Sequence, residues 1–397
     1  MREPSMSTDK SGSTGRLVQL CVGYFAFYAV TGVLVKYFTQ LRDPKMSDMA
    51  FLFNNTIGGS IFAVAVVVLF GWIKLKSNQT VPWGPFQVPS EVKYIIPSGI
   101  CTAVVIPTTT LMYTLPISVL VAMVIMRGSI ILISRLVDEV QIRQGILKKR
   151  VFHEENVAVI FALLAVATNV VLLPLVDFLA SRHIPADQWL GLKAGAGRGS
   201  FEFLHSVPAM TILGSYIFSY SIRLYIMNYY KNTRAKGVEQ DNKGFFAIEQ
   251  LAASGTMLSI GLLLFFGRGA FGWTDFRIVA FDEAIRHPDL SAVISGIPYG
   301  VVAFFSVFIF MFKGRTATFA GLANRLTSLV AGTAATLFLF FVFHQKFPTA
   351  QDWISLLFIL VAVYFLSRAE QLRMAELNRA PQAMPLGAPV PVAVRRP

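Results

Sequence analysis

Acidic residues are few: 22 aspartates and glutamates stand among 397 residues, and charged residues of both signs make up 14% of the chain. A soluble domain carries about a quarter of its residues charged, so this surface belongs in a different solvent. There are two cysteines, Cys21 and Cys101, both inside apolar runs, which excludes a disulfide framework and a metal–thiolate centre. The five histidines, His153, His183, His205, His287 and His344, stand in expected loops or at the ends of apolar runs. No HExxH or paired-carboxylate pattern lies within a run, which leaves an intramembrane metalloprotease or a lipid hydrolase without its chemistry. The glycine-rich GAGRGS at 195–200 lacks GxxxxGK[ST] and any flanking strand and helix, so it reads as a flexible loop rather than a phosphate cradle. Without an ATP-binding cassette the chain is no self-contained ATP-driven pump. The expectation is a protein that is not an enzyme and uses no cofactor or metal.

What the chain has instead is apolar length. Hydrophobic residues make up 54% of it, and the mean hydropathy is +0.59. The runs are continuous over about twenty residues rather than short and alternating, so the class is an all-α polytopic membrane protein and not a closed barrel. Ten spans are expected, at 17–38, 49–73, 94–113, 117–137, 157–179, 207–229, 246–266, 291–312, 317–343 and 353–367. Only Thr114, Leu115 and Pro116 separate the third from the fourth, a tight antiparallel hairpin in which Pro116 suits a first helical turn. The stretch 1–16 is a flexible tail without the short apolar core of a removed signal. Residues 17–179 and 207–367 form two five-helix halves joined by a loop at 180–206. A tail at 368–397, rich in Pro and Ala, is expected to be disordered beyond about 380.

Lysine and arginine are shared unevenly between alternate sides of those spans. The side holding both tails and the second, fourth, sixth and eighth loops carries 21 of them, and the other carries 9. By the positive-inside rule both termini are cytoplasmic, most simply in a plasma (inner) membrane. The net charge of +13, including Lys148-Lys149-Arg150 and Lys231, Arg234 and Lys236, is then a topology signal and not a nucleic-acid surface. The sequon Asn78-Gln79-Thr80 falls on the cytoplasmic side and is discounted. The large hydrophilic pieces 180–206 and 267–290 face outward.

Five spans per half, an odd number, make the second half enter from the opposite side, so a repeat of the first would be an inverted one. The fourth span of each half carries one arginine: Arg127 in SVLVAMVIMRGSIILIS (118–134) and Arg325 in TATFAGLANRLTSLVAGT (316–333). Each lies about 12–15 Å deep in a ~30 Å hydrocarbon layer. A lone charge there costs at least a few kcal/mol, so both need a reason. The expected reason is a central, water-accessible cavity lined by Arg127 and Arg325, with Ser129, Asn324 and Thr327 beside them. Asn55, Thr109, Tyr113, Tyr216, Tyr220 and Tyr299 complete the polar wall. Arg135 and Arg223, near inner ends, are expected to snorkel. Glu249 caps or couples, and a structural pairing of the two deep arginines with it or with carbonyls is the bland alternative; small and hydroxylic residues elsewhere serve helix packing.

The MRGS of Met126–Ser129 and the closing stretch NRLTSLVAGTAATLFLFFVFHQKFPTAQDWISLLFILVAVYFLSRAE at 324–370 resemble the drug/metabolite transporter superfamily. The resemblance covers roughly 17–368 and implies a single-domain ten-helix carrier with its site between the halves. An Arg-Gly-Ser in the fourth helix is common in the nucleotide-sugar branch, and this carries over to Arg127, Gly128 and Ser129. The chain departs from the pattern in having His344, Gln345 and Lys346 where many bacterial members have an acidic residue, and in its longer fourth, fifth and seventh loops. The expected function is a secondary transporter moving a polar, anionic organic solute by alternating access, coupled to protons, an ion or counter-exchange. Its partners would be a small-molecule substrate and the lipid bilayer, with no nucleic acid, as a monomer or homodimer. The alternative is a non-transporting membrane scaffold or lipid-handling protein with structural arginines.

Overall fold

An apolar run in hydrocarbon has no water to satisfy its peptide groups, so it closes its hydrogen bonds internally as a helix. The computed structural model describes residues 14–77, 79–115, 117, 119–147, 152–182, 206–233, 240–312, 317–348 and 350–379. α1 (Thr14–Lys36) runs on into a π-helical turn, Tyr37–Leu41. α2 (Asp48–Leu69) begins where the Ser47 hydroxyl accepts from Ala50 N at 3.3 Å, with Asp48 at the positive end of the helix dipole. α3 is Val92–Thr114, α4 is Val119–Arg143 and α5 is His153–Ser181. α6 (Val207–Asn232) is capped by Ser206, and α7 (Asn242–Phe271) by Asp241, whose carboxylate accepts from Lys243 N and Gly244 N. α8 (Phe276–Arg286), α9 (Leu290–Ser295), α10 (Ile297–Phe310), α11 (Ala317–Phe343) and α12 (Ala350–Arg379) complete the chain.

All ten expected segments fall on helices, the eighth on the α9–α10 pair. Among the described residues eight helices are long and apolar enough to cross a membrane: α1 with its π turn, α2, α3, α4, α7, α9–α10, α11 and α12. The other two long helices are α5, part of whose side chains lie outside the described residues, and α6. Ser215, Tyr216, Ser219, Tyr220, Ser221 and Arg223 make α6 the more polar.

Three connections differ from expectation. The stretch 267–290 is not a loop: α7 runs to Phe271, and α8 folds back with Asp275 capping it through Arg277 N at 2.8 Å. Asp282 accepts from both Arg268 and Arg286 and ties the two helices together. Between α2 and α3 lies a small hairpin, β1 (Thr80–Trp83) against β2 (Phe86–Pro89), antiparallel with Trp83 opposite Phe86. α12 continues to Arg379, past the expected end of the last span. Pro116, Asn78, Lys148-Lys149-Arg150, Arg234, Lys236, the 195–200 glycine stretch and the residues before 14 and after 379 lie outside the described residues.

Helix neighbours come in matched sets. α3 packs on α6 and α7, while α10 packs on α1 and α2. α1 lies against α11, and α6 against α4. α5 packs most extensively on α12, and α4 meets α11. Two crossings are especially close. A Cβ on Gly99 of α3 would stand 2.6 Å from Glu249 O and 3.2 Å from Ala253 N of α7. A Cβ on Gly296, at the α9–α10 junction, would stand 2.0 Å from Asn55 O and 2.8 Å from Gly59 N of α2. Each glycine sits in a Ser-Gly-Ile triplet, 98–100 and 295–297.

Candidate functional site

Residues four apart on a helix share a face. On α1 this puts Tyr24 beside Tyr28, ring centroids 5.1 Å apart, and on α6 it puts Tyr216 beside Tyr220 at 5.5 Å. The two tyrosine pairs face one another across a cavity of about 50 Å³. Thr102, Val105, Ile106 and Thr109 of α3 form one further wall, and Tyr299, Val302, Ala303 and Ser306 of α10 form another. Arg127 enters from α4, Arg223 from α6 and Gln250 from α7.

Arg127 is 5% exposed and held by hydroxyls, not by acid. Its Nη2 donates to Tyr28 OH, its Nη1 to Tyr216 OH at 3.4 Å, and its Cζ lies 5.3 Å from the Tyr28 ring centroid. Tyr28 OH in turn bonds Tyr113 OH at 2.8 Å. Among the described residues Arg127 has no carboxylate partner, and its buried Nε has no acceptor. Gln250 is alike: it is 3% exposed and its Nε2 has no acceptor. Buried donors are nearly always satisfied, so two orphans on one cavity are an opening for acceptor atoms of a solute.

The second guanidinium on the cavity is Arg223, which does not snorkel. It is buried and grips Glu249 with two parallel bonds, Nε to Oε1 and Nη2 to Oε2, each 2.9 Å. Ser98 donates to Glu249 Oε1 at 2.6 Å. The carboxylate expected to cap, or to pair with Arg127 or Arg325, is therefore engaged by Arg223. Helix α6 turns Arg223 inward toward α7, so its distance from the helix end does not set its direction. Arg135 pairs with Glu139 one turn on, Nη1 to Oε2 at 3.4 Å, with its side chain 20% exposed.

Of the expected site residues, Arg127, Thr109, Tyr216, Tyr220 and Tyr299 come together on the cavity. Tyr113 stands behind Tyr28. Asn324 is one layer out, accepting from Tyr24 OH at 3.4 Å and donating to Ser306 Oγ at 3.1 Å. Arg325 is buried but off the cavity, with Nη1 on Ser134 Oγ at 2.9 Å in the α4–α11 contact. The expectation that both deep arginines line one cavity therefore gives way to Arg127 with Arg223. Ser129 and Thr327 back-bond to their own helices, at Ile125 O (2.8 Å) and Ala323 O (2.7 Å). Asn55 donates to Ser295 Oγ at 3.4 Å at the α2–α9 crossing. Tyr24 and Tyr28 went unread in the sequence, although they repeat the four-residue spacing of Tyr216 and Tyr220. Among the described residues no three His, Cys, Asp or Glu side chains gather as metal ligands would. No protein-family model and no curated protein matches this chain.

Proposed function

We propose that this chain is a secondary carrier that moves a small, polar, anionic organic solute by alternating access around the Arg127 cavity. In this reading it crosses the plasma (inner) membrane ten times, α5 and α6 included, with both termini cytoplasmic. Its two five-helix halves would be inverted repeats, the architecture implied by the resemblance to the drug/metabolite transporter superfamily.

The observation that carries the reading is the pairing of the cavity walls. Thr102, Val105, Ile106 and Thr109 have Tyr299, Val302, Ala303 and Ser306 as counterparts, each the same number of residues further along the chain. Tyr24 and Tyr28 have Tyr216 and Tyr220 as counterparts, again with one spacing shared by both pairs, though not the spacing of the α3 and α10 walls. The Gly99 and Gly296 crossings repeat this down to the atoms they approach, and the matched helix neighbours follow the same rule. A cavity between two such halves is where a carrier built from inverted repeats holds its solute. On the cavity itself the match is broken by positive charge and orphan donors, because Arg127, Arg223 and Gln250 line it while Arg325, the counterpart of Arg127, does not. Charge-assisted bonds from a buried guanidinium favour an anion. At about 10–15 Å³ per water a cavity of this volume admits only a few waters, so a larger solute enters and leaves by helix movement.

The test is counterflow in proteoliposomes against a panel of carboxylates, phosphate esters and sulfonates. Exchange of at least one anion is expected, lost in Arg127→Gln although the variant remains folded by thermal unfolding. Product formation without exchange, exchange of no anion, or an Arg127→Gln protein as active as the original would overturn the proposal.

A further inference from the structure

The two crossings at Ser98-Gly99 and Ser295-Gly296 allow the molecule to be compared with itself. In the first half, Asn55 bonds Ser295 across the contact at 3.4 Å, and the α1 position matching Arg223 is Thr31, which back-bonds to Phe27 O at 2.9 Å. In the second half the same two places hold Glu249, bonded to Ser98, and Arg223. A carboxamide and a hydroxyl therefore serve the fold at this crossing. The ion pair is an addition, made where Arg223 reaches the cavity, and burying it has a desolvation cost that a purely structural contact need not carry.

We propose that the Arg223–Glu249 pair is where a solute carboxylate is exchanged for a proton. This rests on the carrier reading above. The guanidinium fork of Arg223 already holds a carboxylate with two 2.9 Å bonds, so the solute group that fits it is another carboxylate. When the solute carboxylate accepts those two N–H donors, Glu249 loses its counter-charge in a site where its residue is 0% exposed. An unpaired buried carboxylate neutralises rather than stays charged. Glu249 takes one proton from the water on the side to which the cavity is open, and keeps its bond with Ser98. No covalent bond other than O–H forms. Before loading, Arg127, Arg223 and Glu249 sum to one positive charge; afterwards one anion and one proton have been added, and the sum is unchanged. The carrier would thus be an electroneutral symporter of a monocarboxylate with one proton.

The other groups facing the pair are Ser98, Cys101 and Thr102 on α3, Tyr220 on α6 and Tyr299 on α10. None of them carries a carboxylate that could take the proton in place of Glu249. The charged residue that α2 contributes is Asp48 in its first turn, and α8 sets Asp282 against Arg268 near the far end of α7.

Two measurements test this on the full chain. In Arg223→Thr, which mimics displacement, infrared spectroscopy should find a protonated carboxyl C=O band at neutral pH that is gone in Arg223→Thr/Glu249→Asn. An absent band overturns the proposal. In proteoliposomes, lactate should accumulate faster than in protein-free vesicles, toward about tenfold per unit of pH difference, with a drive independent of membrane potential. The double variant, whose second half now matches the first, should fold and lose that drive. Carboxylate exchange indifferent to a pH gradient, drive that survives in the double variant, or exchange restricted to phosphate esters or sulfonates would overturn this inference and leave the carrier standing. Exchange of no anion would overturn the carrier itself.

Discussion

Gly296 packs so closely on α2 that a Cβ there would stand 2.0 Å from the carbonyl oxygen of Asn55. The obstacle is backbone, which no side-chain rotation relieves. Gly296→Ala should therefore destabilise the folded protein by about 1–3 kcal/mol, read as a lower unfolding temperature in detergent. Gly214→Ala in α6, with nothing within 4 Å of the added carbon, should be neutral or mildly stabilising. Equal behaviour of the two variants would refute the close crossing.

Arg127 and Arg325 should behave differently. Arg127→Gln removes the cavity's guanidinium without a carboxylate partner and is expected to abolish exchange, a loss well beyond about tenfold. Arg325→Gln removes a contact with Ser134 away from the cavity, so exchange should persist while the unfolding temperature falls. Loss of exchange in both, with both folded, would mean that Arg325 reaches the solute in another conformation.

Truncating one partner of the buried ion pair should cost more than replacing both. Glu249→Ala leaves the Arg223 charge uncompensated and should lose about 3–5 kcal/mol. Arg223→Thr/Glu249→Asn should lose markedly less than the sum of its two single changes. A double-mutant cycle by thermal unfolding measures the coupling, and additivity would argue against a dry pair.

Acid should loosen the start of α9. Asp289 accepts from the Ser291 hydroxyl and pairs with Arg42 at 2.7 Å, which hold its carboxyl down at about 2. Its folded value lies below its unfolded one, so its contribution is fully present above the ordinary aspartate range and is lost as pH falls through about 2. Asp289→Asn keeps a capping oxygen for Ala292 N but gives up the charge on Arg42. The variant should lack the part of the acid-induced fall in unfolding temperature between about pH 4 and 2 that the original protein displays.

Much of the fold was legible because hydrocarbon leaves an apolar run of twenty residues a single helical solution. The stretch 267–290 misled because its polar residues read as a loop. Only packing reveals that Asp275 caps a helix and that Asp282 bridges Arg268 to Arg286.

Of the site, the sequence alone determined that Arg127 needs company, because a charge in mid-run is costly wherever it points. It also placed Tyr216, Tyr220, Tyr299 and Thr109 in polar clusters within apolar runs. It could not say which way each arginine turns. Each residue rotates a helix face by about 100°, so depth along the chain carries no information on direction. Tertiary structure decided that Arg223 meets Glu249 and Arg325 meets Ser134, since those partners come together only when separate helices pack. It also decided that Tyr24 and Tyr28, unremarked in a long apolar helix, stand opposite Tyr216 and Tyr220.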